Sequence, residues 1–549
     1  MLNKTALKCF NYLSDFKLGK SLLRKIKCAL LIAVIIISNT YFENDKLISV
    51  GVAVPEKVRI GLYFETTAVS DFTVSAEKGL RIGSINNNVF TPIYDEPSNG
   101  LVTIGKDGAV HIQIGSSYSD QNAAKTALAA IKSSGIAAYL AFVDTWQIWY
   151  GFYKDQKAAQ ADIDGVLSKK LQGYTSTPVL QAANRIVVTN PSGETAFIIG
   201  SDTNSLYISP SKDNNPYIFK LNNNDSLRYR GELEVKRITG SDMTVINVIP
   251  VDHYLYGVVP AEIGASSHPE AIKAQAVAAR TYLIANLNKH KKQFFDLCTT
   301  TSCQVYKGFN GEYASTNKAV DDTTGKKITY NGKIAEVFYF SSSGGRTEDV
   351  KNVWGSEIPY LKSVEDKYES GNSYNYNWEV TMTANEIKEK MLGRGYDLGD
   401  ITGVSITKTS EAGRVTELVI SGTKGQRVYK LDGCRTVFGF NSQWYTIESD
   451  GTIPVKNAEN NIVQTQLTAK KVITADGIKD LNVKSGQITV IGSEDVKRTV
   501  SGATQSYKFV GKGWGHAVGM SQNGAMGMAK AGFTYEQILT HYFQGTVIE

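Results

Sequence analysis

The stretch Val251-Asp-His-Tyr-Leu-Tyr-Gly-Val-Val-Pro-Ala-Glu262-Ile sets one carboxylate among apolar side chains, two residues after a proline and just ahead of a predicted helix. Removal from water disfavours the charged form, so a carboxyl placed this way can hold its proton towards neutral pH, as a general acid must. Alone, the same residue can equally cap a helix or stay solvated. The helix that follows carries Lys273 and Arg280, seven residues apart and therefore on one face, two turns from each other. Two cations there can hold an anionic ligand, tune Glu262, or serve as ordinary salt-bridge partners.

Two glycine-rich blocks offer further chemistry. Ser343-Gly-Gly345 can bring backbone close to a ligand, because glycine has no side chain and tolerates unusual φ. Gly513-Trp-Gly-His516 offers an indole platform at Trp514 and a titratable imidazole at His516. His516 reads as a ligand contact, as a secondary acid/base, or as an imidazole satisfied inside a glycine-rich turn.

These residues need elements to hold them. The chain has 549 residues, too many for one ordinary core; about one domain per 150 residues suggests three or four units. Residues 43–105 alternate apolar positions with Gly, Asn and Asp turns and read as short strands. Residues 106–175 hold a weak internal repeat: His111-Ile-Gln-Ile-Gly-Ser-Ser-Tyr-Ser-Asp-Gln-Asn-Ala-Ala124 is echoed by Trp146-Gln-Ile-Trp-Tyr-Gly-Phe-Tyr-Lys-Asp-Gln-Lys-Ala-Ala159. Each copy is an alternating strand, a glycine turn and an Asp-started, Ala-rich helix, which predicts a small α/β module of pseudo-twofold character. Thr175-Ser-Thr-Pro178 then reads as a linker. From about 185 the chain is strand-rich, apart from a helix over 271–287 with Ser267 as N-cap, Pro269 in its first turn, and an apolar stripe of Ile272, Ala276, Ala279 and Leu283. Residues of about 452–508 read as a β insertion.

At the N-terminus, a Lys/Arg-rich stretch precedes the apolar run 28–38. This is the pattern of an export signal or a retained membrane anchor within residues 1–42, and positive-inside orientation places the rest outside the cytoplasm. The net charge of +6 is drawn partly from this stretch, and no concentrated Lys/Arg tract indicates nucleic-acid binding. A mildly basic balance suits anionic wall polymers or membrane surfaces. There are five cysteines; Cys9 and Cys28 precede or begin the apolar run, and the remaining three make no complete disulfide framework.

Six blocks in order resemble the stage II sporulation protein D / LytB (SpoIID/LytB) domain: Tyr254-Leu-Tyr-Gly-Val-Val-Pro-Ala-Glu262; Ala271-Ile-Lys-Ala-Gln-Ala-Val-Ala-Ala-Arg-Thr-Tyr282; Cys303-Gln-Val-Tyr-Lys-Gly308; Ser341-Ser-Ser-Gly-Gly-Arg-Thr347; Val353-Trp-Gly355 with Pro359-Tyr-Leu361; and Gly513-Trp-Gly-His-Ala-Val-Gly-Met-Ser-Gln522. They span roughly residues 185–549. The repeat at 106–175 looks like a SPOR-type domain, which binds glycan strands stripped of peptides.

The resemblance implies an α+β, strand-rich catalytic domain with one long helix beside the active site, preceded by a small SPOR-like α/β module. It implies a peptidoglycan lytic transglycosylase. Its general acid/base is Glu262, with Lys273, Arg280 and Tyr360 in the site; Ser343, Gly344, Trp514 and His516 are the further substrate contacts read from the chemistry of the two glycine-rich blocks. The product is a 1,6-anhydro-muramic end, and a single carboxyl suffices because the substrate's own C6 hydroxyl is the nucleophile, whereas an ordinary glycosidase needs a pair. Other members of the family act as non-catalytic amidase enhancers, so a cell-wall amidase is the alternative partner. Zinc-binding members carry Cys-x4-His-Cys where this chain has Cys298 and Cys303 with Ser302 between them. Ser is a poor zinc donor, so zinc, a local disulfide and two free thiols all stand as readings of this pair, and no other cofactor is implied.

Overall fold

The computed structural model describes residues 53–549 except 238–240, 372, 374–375, 451, 457–458, 460, 467–470, 475–476, 481–486, 492–496 and 502–504. The expected export signal or anchor lies outside the described residues. Among them, no helix is long and apolar enough to cross a membrane.

The architecture is mixed α+β and strand-rich. A seven-stranded sheet runs Leu297–Cys298, Lys57–Tyr63, Met243–Pro250, Glu232–Arg237, Ser205–Pro210, Leu80–Asn86, Val89–Glu96. A ten-stranded sheet draws on Asp71–Ser75, Val102–Lys106, Ile186–Thr189 and Thr195–Ile199, among others. Strands from before residue 107 thus pair with strands from after residue 185 within both sheets. Lys57–Tyr63 pairs antiparallel with Met243–Pro250 in the register Lys57↔Pro250. The N-terminal strand region and the strands leading to Glu262 form one folded body, because each supplies the hydrogen-bonding partner the other lacks.

The repeat folds as β-α-β-β-α-β. Strands Val110–Ile114, Tyr139–Val143, Thr145–Tyr153 and Ser176–Val179 alternate with helices α1 (Gln121–Ser133) and α2 (Gln156–Asp162). Both helices begin at an Asp whose carboxylate accepts the N–H three residues on, from Asp120 to Ala123 and from Asp155 to Ala158. The expected linker is not one: Ser176–Val179 pairs with Val110–Ile114 as the module's fourth strand. The polar Ser/Thr residues mislead here because this is an edge strand, where Pro178 needs no ladder donor.

Met243–Pro250 divides two cores by its period of two. Met243 and Val245 join Phe72, Val102 and Leu233, whereas Ile246 and Val248 join the helical core. The strand runs directly into α3 (Val251–Glu262), which contains Pro260. Proline lacks the N–H and crowds the preceding turn, so α3 ends two residues later at Glu262, with Ile263 extended. After a short turn comes α4 (Pro269–Ala285), N-capped by His268 rather than the expected Ser267. The apolar stripe proves too narrow a description of α4. Twelve of its side chains are buried, and it packs against α3, α5 (Ala314–Asp322), α7 (Gln522–Lys530) and α8 (Tyr535–Tyr542). Alanines at 271, 274, 276, 278 and 279 permit that approach from all sides.

A separate core of Trp378, Ile387, Met391, Leu418, Phe440 and Phe509 underlies two three-stranded sheets and α6 (Ala384–Leu392). Three hairpins between 452 and 501 leave and return through Tyr445–Ser449 and Ser506–Lys512, which pair antiparallel. The insertion therefore closes before Ser506, and residues expected within it belong to a core strand.

Candidate active site

Glu262 stands at the C-terminal end of α3. Burial raises its carboxyl above the ordinary value of 4.5, opposed by hydrogen bonds from the Val305 backbone N–H and the Gln522 side chain. The helix C-terminus, with its outward carbonyls, acts in the same direction as burial. No cation and no second carboxylate is among the groups acting on it within the described residues.

The surrounding groups come from four elements. Gln522 opens α7, capped by Ser521, and its Nε2 lies 3.4 Å from Gln275 Oε1 on α4. Gln275 Nε2 is buried without a hydrogen-bond partner. Tyr339, on the short strand Tyr339–Phe340, has its hydroxyl pushed well above its usual range by burial and by the charge of Glu262. The Tyr339 hydroxyl accepts from Gln304 Nε2 at 3.0 Å, and Gln304 Oε1 accepts from the Tyr254 hydroxyl at 3.3 Å. Gln275, Gln304, Tyr339 and Gln522 were not singled out as site residues from sequence. Gln275, Gln304 and Gln522 all sit inside the quoted blocks, but an amide carries no chemical signal until its partner is known.

The expected substrate residues separate into two groups. Lys273 pairs with Glu270 at 3.0 Å and Asp322 at 3.6 Å. Arg280 is fully buried, bound to Asp252 Oδ1 at 2.8 Å and to the carbonyls of Thr323, Lys326 and Val320. It ties α3 to the turn after α5 and presents nothing to a ligand. A shared helix face says nothing of exposure here, because α4 is packed on most sides: Arg280 is buried while Lys273 stays partly exposed in its ion pairs. Tyr360 is also core: its hydroxyl accepts the Glu336 N–H at 2.7 Å.

Ser343 and Gly344 cradle a carboxylate of the chain itself. Glu369 accepts from the Ser343 N–H at 2.9 Å, the Ser343 hydroxyl at 2.6 Å and the Gly344 N–H at 3.0 Å, with the Ser342 hydroxyl on its other oxygen. Gly344 has φ +71°, and a Cβ there would meet Gly513 N at 3.0 Å, so the close approach made by this glycine is to its neighbouring strand, not to a sugar. Buried Arg414 donates to the Ser343 and Arg346 carbonyls at 2.7 and 2.6 Å. It balances the buried acids.

Trp514 and His516 do reach a surface. Trp514 is 41% exposed and exchanges two backbone hydrogen bonds with Ser342. His516 packs beside Trp354, Phe338 and Phe340, ring centroids 5.1–6.1 Å away. Its Nδ1 accepts the Val518 N–H at 3.0 Å, which leaves the proton on Nε2, towards the Tyr339 carbonyl. Burial holds the imidazolium form down to about 4, so His516 is neutral at physiological pH. Trp354, 40% exposed, supplies a second indole beside it.

The cysteine pair has a third donor. His290 Nε2 lies 3.3 Å from Cys303 Sγ, and the donor atoms of His290, Cys298 and Cys303 lie within 4.8 Å of one another. Both cysteines are free thiols. Tetrahedral zinc with bonds of about 2.0–2.3 Å spans such separations, so this set fits zinc with one position open. The family pattern puts an imidazole at 302, where this chain has Ser302, and the fold brings in His290 instead. Burial opposes ionisation of Cys298, but the Thr300 hydroxyl and N–H bring its thiol below the usual value; Cys303, buried beside it, is pushed up to about 11.

Comparison with known proteins followed the same segment. The family model described as stage II sporulation protein matches residues 239–330, which include Glu262 and the cysteine pair. A domain of unknown function matches 360–466. The stage II sporulation protein D of Bacillus subtilis (strain 168) is 30% identical over 319 residues, 55% of this chain and 74% of that protein. That of Bacillus amyloliquefaciens is 31% identical over 316 residues, with 55% and 74% covered. The amidase enhancer of Bacillus subtilis (strain 168) is 33% identical over 301 residues; the match takes in 54% of this chain and only 40% of that relative's length.

Proposed function

This chain belongs to the SpoIID/LytB family, and we propose that it is an exported cell-wall protein that cleaves peptidoglycan glycan strands as a lytic transglycosylase. The observation that carries the reading is Glu262: a single partly buried carboxyl, raised by burial, with hydrogen-bond donors but no cation acting on it. A structural carboxylate buried this far is ordinarily neutralised by a cation, whereas an acid that must deliver a proton is not.

In the proposed cycle, protonated Glu262 donates to the glycosidic oxygen as the bond to the anomeric carbon breaks. The resulting carboxylate, held by Val305 N–H and Gln522, takes the proton from the C6 hydroxyl of the muramic residue. That oxygen closes on the anomeric carbon, giving the 1,6-anhydro product and regenerating the acid. Trp514 and Trp354 offer surfaces on which sugar rings can stack, and neutral His516, its two nitrogens held by backbone groups, fixes the aromatic wall beside Trp354. The 110–179 module contributes glycan binding, and the N-terminal stretch, as export signal or anchor, takes the chain out of the cytoplasm. His290, Cys298 and Cys303 would hold zinc as a structural tie on the loop that carries Val305.

The test is incubation of purified protein with peptide-stripped glycan strands. Anhydro-muramic products that disappear in Glu262→Gln support cleavage. The likeness to an amidase enhancer favours one other reading, stimulation of a wall amidase. That reading gives products only with the amidase present, and equally with wild type and Glu262→Gln.

A further inference from the structure

Phe294 is placed against two physical preferences at once. Its φ is +69°, a region that favours glycine, and its ring is 46% exposed. A glycine or asparagine would relieve the backbone, and a polar side chain would suit the solvent, so the fold gains from neither feature. The conformation is held in place by Arg59 Nε, which donates to the Phe294 carbonyl at 3.0 Å, and by the turn Lys291–Gln293, which Phe294 terminates. Strain maintained in this way marks sites of function.

The ring stands where two cavities meet. One is about 450 Å³ and the other about 180 Å³, and both are lined by Ser205, Lys236 and Phe294. Lys236 Nζ lies 4.8 Å above the ring and also pairs with Glu234. The larger cavity is walled by Asn86, Asn88 and Asn288, whose side-chain amides make no hydrogen bond to protein among the described residues, and by exposed Lys291, which has no ion-pair partner there. The acids of this wall are already engaged: Glu234 by Arg59 and Lys236, and Asp296 by the backbone N–H groups of Arg59 and Asn288. An exposed flat ring, free amides that both donate and accept, and one unneutralised cation match a pyranose face, its hydroxyl and acetamido groups, and an anionic substituent.

We propose that this groove is a second saccharide site, with Phe294 as the stacking platform for an N-acetylated glycan chain. It rests on the reading of this protein as one that works on glycan strands, but it needs no cleavage. Phe294 lies on the segment between α4 and Val305, so a chain held there is tethered to the loop that bonds Glu262.

The experiment uses the full chain carrying Glu262→Gln, so that no probe is consumed, with the tetramer of N-acetylglucosamine as ligand in calorimetry and purified peptide-stripped wall as a retention matrix. Phe294→Ala and Phe294→Gly are expected to weaken tetramer binding about tenfold. Phe294→Trp retains it. Phe294→Gly is expected to melt at or above the parent, because glycine accepts the positive φ. Binding by Phe294→Ala and Phe294→Gly equal to the parent overturns the proposal, as does a fall in melting temperature of Phe294→Gly that accompanies its loss of binding, which would make the ring structural. Phe294-dependent binding, together with no anhydro products from the protein that retains Glu262, supports this site while refuting the cleavage reading.

Discussion

Arg280 Nη2 lies 2.8 Å from Asp252 Oδ1, 28 residues upstream, and this pair joins the middle of one helix to the first turn of another. The guanidinium is wholly buried, and three carbonyls take its remaining donors. Its work is therefore to fix the start of α3, whose other end carries Glu262.

Arg280→Met is expected to destabilise the protein by roughly 3–5 kcal/mol, the usual consequence of removing one partner of a buried pair. Arg280→Lys recovers only part, because three donors on a flexible stem cannot replace a planar fork. Thermal or denaturant unfolding checks both. A fall in activity with unchanged stability would return Arg280 to the substrate.

Glu262→Gln is expected to fold normally and to lose anhydro products. The wild-type rate falls as pH rises through the carboxyl's raised value, since the acid must be protonated at the start. Stability carries the same sign. The folded carboxyl keeps its proton to higher pH than the unfolded one, so its contribution is full below the ordinary 4.5 and is lost as pH rises through the folded value. Melting curves from pH 4 upward, wild type against Glu262→Gln, check this: the variant lacks that decline.

Gln522→Ala removes a donor that favours the ionised form of Glu262. The alkaline limb of the pH–rate profile is expected to move to higher pH, and the rate to fall because the carboxyl is less well oriented. An unshifted limb would place Gln522 outside the site.

Glu369→Ala withdraws the acceptor that two backbone N–H groups and the hydroxyls of Ser342, Ser343 and Ser373 share, and leaves Arg414 with one fewer buried counter-charge. A loss of about 3–5 kcal/mol is expected. Ser343→Ala is milder, about 1 kcal/mol, because the Ser343 N–H remains on Glu369. Denaturant titration ranks the two.

Zinc added to chelator-treated protein is expected to bind one equivalent and to raise stability by about 2.7 kcal/mol at a hundredfold excess over Kd. His290→Ala weakens that binding, whereas Ser302→Ala leaves it unchanged. Metal analysis after dialysis and thiol titration read the outcome independently of activity.

The sequence alone determined the two Asp-capped helices of the repeat and the helix after Glu262, while Glu262 entered as the proposed acid through the family resemblance. Each of those helices depends on residues close together in the chain: an Asp three before an accepted N–H, a run free of helix breakers. Only the tertiary structure decided which neighbours the acid has. Gln522 comes from α7 and Val305 from a loop after α4, while Lys273, Arg280, Ser343 and Gly344 turn to partners within the protein. It also decided that strands before residue 107 share sheets with strands after 185, and that the third donor beside Cys298 and Cys303 is His290. Local sequence sets backbone preference over a few residues, whereas burial and hydrogen-bond partnership are settled by packing between elements distant in the chain, which no spacing along it encodes.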